Sequence, residues 1–170
     1  MTTESPLSGL LAAALAIAEP ARRLRLRGEP DVLAVHAIGW ATVDAERTAA
    51  ELRRVLGLPL DDAVALPADG PLGASCLRLE LGIDGPALVL LEPNREGRLA
   101  ASLARRGEGV AAAWVVPGLD DTRLVARANL GGLLLSAVGR GPFGTERLVL
   151  GAPAWGPHLV LTAPGATITA

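Results

Sequence analysis

Apolar runs and charge-bearing amphipathic segments alternate along this chain, and they do so twice in the same order. Val32, Val35, Ile38, Thr42 and Val43 spread β-branched side chains through residues 31–43, the signature of a strand. Asp44 then offers an N-cap, and Ala49, Leu52, Val55 and Leu56 recur at helical spacing until Gly57 stops them. Residues 61–73 are loop-rich, broken by Pro67, Gly70, Pro71 and Gly73, with room for a short strand near 63–66. Strands are predicted at 75–81 and 87–91, joined by the turn signal Gly82-Ile83-Asp84-Gly85-Pro86. A helix-like piece at 95–106 ends at Gly107-Glu108-Gly109, and the order restarts. A strand is predicted at 110–116, a helix at 120–128, and strands at 133–138, 147–150 and 158–162, with turns at 139–144 and 151–156.

Each half therefore reads strand, helix, then about three strands. Two such halves predict an α+β fold of two βαβββ modules sharing one curved mixed sheet. Module 1 spans about 31–93 and module 2 about 108–164. A local echo supports the repeat: Val89-Leu90-Leu91-Glu92-Pro93 against Val160-Leu161-Thr162-Ala163-Pro164. Residues 1–30 form an N-terminal extension, a helix from Ser5 or Ser8 to about Arg23. It is apolar on more than one face and is expected to dock on protein, at a subunit contact of a homodimer. Residues 165–170 are a tail.

Composition narrows the function classes. Half of the residues are hydrophobic, with no Tyr, one Phe and three Trp, so Ala, Val and Leu must build the core. The net charge of −2 gives no reason to expect nucleic acid or an anionic membrane as partner. Arg22, Arg23, Arg25 and Arg27 read as a solvated helix end. The apolar run 7–18 lacks a basic flank and is too short to cross a bilayer, which makes a cytoplasmic location the expectation. A single cysteine, Cys76, rules out an internal disulfide and reads as a buried, inert thiol. No Ser-His-Asp spacing or paired-carboxylate pattern stands out, and the glycine-rich stretch 139–144 lacks the Lys of a phosphate-binding loop.

Three segments carry a resemblance. Ala37-Ile38-Gly39-Trp40-Ala41-Thr42-Val43-Asp44 is similar to a family pattern His-Ile-Gly-Ile-Ala-Val-x-Asp. Leu90-Leu91-Glu92-Pro93, with the helix and Arg106-Gly107-Glu108-Gly109 after it, is the most specific. Residues 156–161 are similar to a closing strand. Together they resemble the vicinal oxygen chelate superfamily, the glyoxalase and bleomycin-resistance proteins, and within it the methylmalonyl-CoA epimerases. The resemblance implies a glyoxalase-like cup in which four His, Gln or Glu ligands hold one divalent metal that polarises a substrate oxygen. Carried over one by one, those ligand positions fall on Ala37, Val89, Ala112 and Val160. None of these side chains offers a lone pair, and one histidine, His36, cannot replace such a site. The expectation is a chain with no metal and no cofactor.

Strand alternation extends the cup lining from these four positions to Val35, Gly39, Ala41, Ala87, Leu91, Val110, Trp114, His158 and Thr162. Of these, Ala37, Gly39, Val89, Leu91, Ala112, Trp114, His158, Val160 and Thr162 are the candidate ligand-binding residues. The lining is small and apolar, suited to a hydrophobic or planar molecule stacked on Trp114. His158 is the candidate acid/base. His36, one step out of phase, is expected to face away, and Trp40 and Trp155 to cover the outer face or a dimer contact. Glu92 is expected to cap or be solvated, and Glu108 to serve a turn. Three functions fit: a metal-free binder of a small apolar or aromatic metabolite; a metal-independent isomerase, cyclase or lyase of a biosynthetic pathway; and a protein-interaction partner acting through the N-terminal helix.

Overall fold

Nine strands curl into one mixed sheet with four α-helices, in a computed structural model that describes residues 6–30, 33–58, 63–81, 85–151 and 153–163. Ser5, Asp31, Val32, residues 82–84 of the expected hairpin turn and the 165–170 tail lie outside the described residues.

In chain order come α1 (Pro6–Ala18), continued by a 3-10 turn (Glu19–Leu24), β1 (Val35–Ala41), α2 (Ala45–Leu56), β2 (Val64–Asp69), β3 (Ala74–Leu79) and β4 (Ala87–Pro93). Then follow α3 (Arg98–Arg106), β5 (Gly109–Val115), α4 (Asp121–Leu130), β6 (Leu134–Leu135), β7 (Gly139–Gly141), β8 (Gly144–Leu150) and β9 (His158–Thr162). Both module helices start where the sequence offers a carboxylate cap. Asp44 accepts from the Arg47 backbone N–H at 2.9 Å, and Asp120 from that of Arg123 at 2.9 Å. Gly57 ends α2 in the left-handed conformation.

The sheet order is β2-β3-β4-β1-β5-β9-β8-β6, with β7 paired to β8. Within module 1, β1 runs parallel to β4; within module 2, β5 runs parallel to β9. The two modules meet where β1 and β5 pair antiparallel, so one module repeats the other across that seam. A carboxylate ties the seam: Glu108, just before β5, accepts from the Val43 N–H at 3.0 Å, the Thr42 hydroxyl at 2.7 Å and the Arg47 guanidinium at 2.6 Å. Those donors hold its carboxyl down at about 2, the Val43 N–H contributing most. Glu92 accepts from the Ala45 N–H at 2.9 Å, the capping role expected of it.

Alternate strand residues divide between two buried clusters, one on each face of the sheet. On the outer face, Ile38, Leu88, Leu90, Ala113, Val115, Leu159 and Leu161 pack under α1, whose Leu10, Ala14 and Ala18 form its buried stripe. On the concave face lie Ala37, Val89, Leu91, Ala112, Trp114, Val160 and Leu148, closed over by Leu72, Leu99 and Phe143.

Three strand assignments differ from the sequence expectation. Residues 139–144 form a hairpin rather than a bare turn, because Gly141 and Gly144 pair around Pro142-Phe143 and let β8 begin at Gly144. The expected strand 133–138 shrinks to Leu134–Leu135. There Ser136 takes over the pairing, its hydroxyl accepting the Leu148 N–H at 2.9 Å. β2 is longer than expected; as an edge strand it tolerates Pro67.

Candidate functional site

The side-chain phase along β1 and β5 decides what reaches the concave face. Pairing between these strands slips between Val35 and Ala37 and again between Gly39 and Trp40. Each bulge flips the alternation. Val35 and Val110, expected in the cup, consequently pack on the outer cluster. His36, expected to face away, instead sets its ring edge-on to Phe143, with centroids 4.8 Å apart, on the concave side. Its burial lowers the imidazole's proton affinity.

The nine candidate ligand-binding residues do come together. Ala37, Val89, Leu91, Ala112, Trp114 and Val160 belong to one cluster, Gly39 is wedged among Leu91, Ala112 and Trp114, and His158 and Thr162 flank Val160 on β9. All nine are buried. The chain's own side chains thus fill the concave face, and Trp114 is its centre: a fully buried indole set edge-on to Phe143 at 5.6 Å. Thr162 spends its hydroxyl on the Val115 carbonyl at 3.4 Å.

His158 sits at the start of β9, 3% exposed, its ring against Gly156 and beside the start of α3. Burial, then the positive charge of Arg98, push its pKa down to about 4, so it is neutral at physiological pH. Its Nε2 finds no hydrogen-bond partner among the described residues. Cys76 is buried in β3, and desolvation lifts its thiol to about 12, the inert state expected of it.

The four positions where the resemblance places metal ligands, Ala37, Val89, Ala112 and Val160, present methyl and isopropyl groups packed at the cluster's heart. Alkyl groups cannot coordinate a cation, so these residues do not fit a divalent metal. Among the described residues, no three or more His, Cys, Asp or Glu side chains converge as a cation site.

A pair of acids occupies this face instead. Asp69, the last residue of β2, and Glu146, on β8, are 1% and 2% exposed and bring their carboxyls together. Leu72 donates its N–H to Asp69 at 2.7 Å, and the Trp114 indole N–H reaches Glu146 at 3.2 Å. Asp69 Oδ2 and Glu146 Oε1 have no other partner among the described residues, so one proton held between the two acids satisfies both. Burial, then the neighbouring Asp69 charge, raise Glu146 to about 9; burial likewise raises Asp69. Gly141 makes room for the pair, because a Cβ there would stand 2.1 Å from Glu146 Oε1.

Sequence reasoning missed both acids. Asp69 lies among the breakers of 61–73, and Glu146 falls one residue before the strand expected at 147–150. The available signal was phase: Glu146 stands two residues from Leu148, which faces the cup.

This sheet order, with its paired modules and outer helices, is the glyoxalase-like architecture of the vicinal oxygen chelate proteins. Among solved structures, the chain is similar to methylmalonyl-CoA epimerase from Mycobacterium tuberculosis, with TM-score 0.65 and 18% identity over 84% of this chain and 95% of that one. It is similar also to the Streptomyces coelicolor methylmalonyl-CoA epimerase solved with 2-nitronate-propionyl-CoA, with TM-score 0.59 and 23% identity over 79% and 99%. A protein from Bacillus halodurans of no stated function matches with TM-score 0.59 and 20% identity over 76% and 93%. At these identities the likeness is one of fold. No family model and no curated protein matches the sequence.

Proposed function

We propose that the protein is a metal-free, glyoxalase-like binder of a small organic molecule, taken up against the concave face. The Asp69–Glu146 pair carries this reading. Two acids buried side by side cost folding stability, and a core of Ala, Val and Leu has no need of them. Such groups concentrate where a protein meets a ligand. The pair offers an acid O–H donor and a carboxylate acceptor at one end of an otherwise hydrocarbon surface. A ligand with one polar end and an apolar or aromatic body matches that surface, its body displacing Phe143 and lying along Trp114. The fold neighbours solved with acyl-CoA ligands support a small-molecule role for this architecture. On this reading the metal ligands of such cups are replaced here by Ala37, Val89, Ala112 and Val160.

The shared proton favours a second reading, a metal-independent isomerase, cyclase or lyase. A carboxyl held protonated beside a carboxylate is an acid and a base in one site. His158, neutral and walled off by Gly156, serves that chemistry less well than the acid pair.

A thermal-shift screen of uncharged aromatic and apolar ketones, alcohols and amides tests the binding reading, since a ligand of the folded state raises its melting temperature. A compound that raises it in the parent protein and not in Asp69→Asn supports the proposal. A panel that leaves the melting temperature and Trp114 emission unmoved contradicts it. Conversion of a bound compound to an isomer would decide for the enzyme.

A further inference from the structure

Asp69 and Glu146 belong to opposite limbs of the curled sheet. Asp69 ends β2, the module 1 edge strand, and Glu146 lies beside β7, which lines the far rim of module 2. Among the described residues, light contacts run between the two limbs. The Gly70 N–H donates to the Arg140 carbonyl at 2.9 Å, and Pro71 lies flat against Gly139, where a Cβ would meet its ring at 2.6 Å. Arg95 reaches across to the Gly70 carbonyl and steadies the turn. Beneath this bridge sit Leu72 and Phe143, the side chains that roof the concave face.

We propose that the Asp69–Glu146 pair is a proton-held latch: one shared hydrogen bond clamps the two limbs over the concave face, and removing its proton releases them. The geometry explains why. With the proton in place, Glu146 donates to Asp69 and the limbs are drawn together. Without it, two carboxylates face each other in a site with little water, and like charges so placed repel strongly. The one cation that acts on the pair, Arg95, pulls on Asp69 less than burial pushes against its charge, so Asp69 stays raised. The Trp114 N–H serves Glu146 and the Leu72 N–H serves Asp69, but both are neutral donors. Cys76 from β3 faces the pair as a protonated thiol, and the Arg95 guanidinium is engaged with the Gly70 carbonyl. The neutral-pH state is therefore closed, and it opens in alkali near the value to which Glu146 is raised, about 9. A ligand that accepts the Glu146 O–H and donates to the Asp69 carboxylate takes the place of the acid–acid contact, leaves the proton on Glu146 and opens the latch at neutral pH. This last step rests on the binding proposal above; the pH-driven opening does not.

Trp114 is the natural reporter. In a Trp40→Phe/Trp155→Phe background it is the remaining tryptophan. Acrylamide quenching of its emission is followed from neutral to alkaline pH, with far-UV circular dichroism recorded on the same samples. The latch predicts a quenching constant that is low at neutral pH and rises several-fold around pH 9 while the helix signal holds. It predicts a flat profile for Glu146→Gln, whose amide donates to Asp69 at every pH, and for Asp69→Asn, whose amide donates to the Glu146 carboxylate. Quenching that rises equally in wild type and both amide variants overturns the proposal. So does a wild-type profile with no rise, or a rise that coincides with loss of the helix signal. A latch that passes these tests while no compound binds would leave the latch standing and the binding proposal refuted.

Discussion

The Trp114 indole rests directly on Gly39: a Cβ built at position 39 would lie 2.8 Å from Trp114 Cζ3 and 2.8 Å from the Ala112 methyl. Glycine and alanine on β1 and β5 thus carve the hollow that the chain's largest side chain occupies. Gly39→Ala adds one methyl to a filled space and should cost about 1–3 kcal/mol of stability, measured by urea denaturation. Trp114→Phe in the same background should recover part of that loss, because the two positions share one contact.

His158 sets the acid limb of the stability curve. Its folded value, about 4, lies below the ordinary imidazole value of 6.5, so the unfolded chain binds the extra proton first. Its stability contribution is full above pH 6.5 and is lost as pH falls through about 4. A shift of that size corresponds to roughly 3 kcal/mol. Equilibrium unfolding across this window should therefore fall less steeply in His158→Leu than in wild type; parallel curves would show that the buried imidazole does not titrate as described.

Most of the architecture was legible in the sequence because it is written in local signals. Asp44 and Gly57 cap α2 where the residue pattern places them, and the repeated strand–helix order predicts the paired modules. What was not legible depends on non-local register. The two bulges in the β1–β5 pairing move Val35 and Val110 to the outer face and bring His36 inward, and no one-strand pattern contains that information. The acid pair joins residues from opposite limbs of the sheet. Asp69 looked like a turn residue and Glu146 like a strand flank until the fold set them face to face.

Glu108 holds the module seam from outside. Replacing it with Gln weakens a charge-assisted cluster whose Arg47 partner is 41% exposed, so the effect at neutral pH should be modest, about 1 kcal/mol. Its carboxyl is held at about 2 against the ordinary glutamate value of 4.5, so the contribution is present above pH 4.5 and disappears as pH drops through about 2. Chemical denaturation of Glu108→Gln and wild type should converge in strong acid. A gap that persists there would assign the effect to packing and not to charge.

The acid pair has the opposite sign. Glu146 is raised from 4.5 to about 9, so its contribution is complete below pH 4.5, declines above it and is gone beyond about 9. Glu146→Gln should flatten this decline and make the protein more stable than wild type in alkali. Urea midpoints on either side of pH 9 read the effect, and a variant weaker than wild type in alkali would argue against a shared proton.

The account depends most on a concave face that takes its ligand without a metal. Isothermal titration of the chelator-treated protein with cobalt(II) and nickel(II) tests this directly, with metal analysis of the untreated protein as its companion. Alkyl groups at Ala37, Val89, Ala112 and Val160 predict no stoichiometric binding and no change on chelation. One tightly held equivalent, lost when Glu146 is changed to Gln, would place a metal on the concave face and contradict the account.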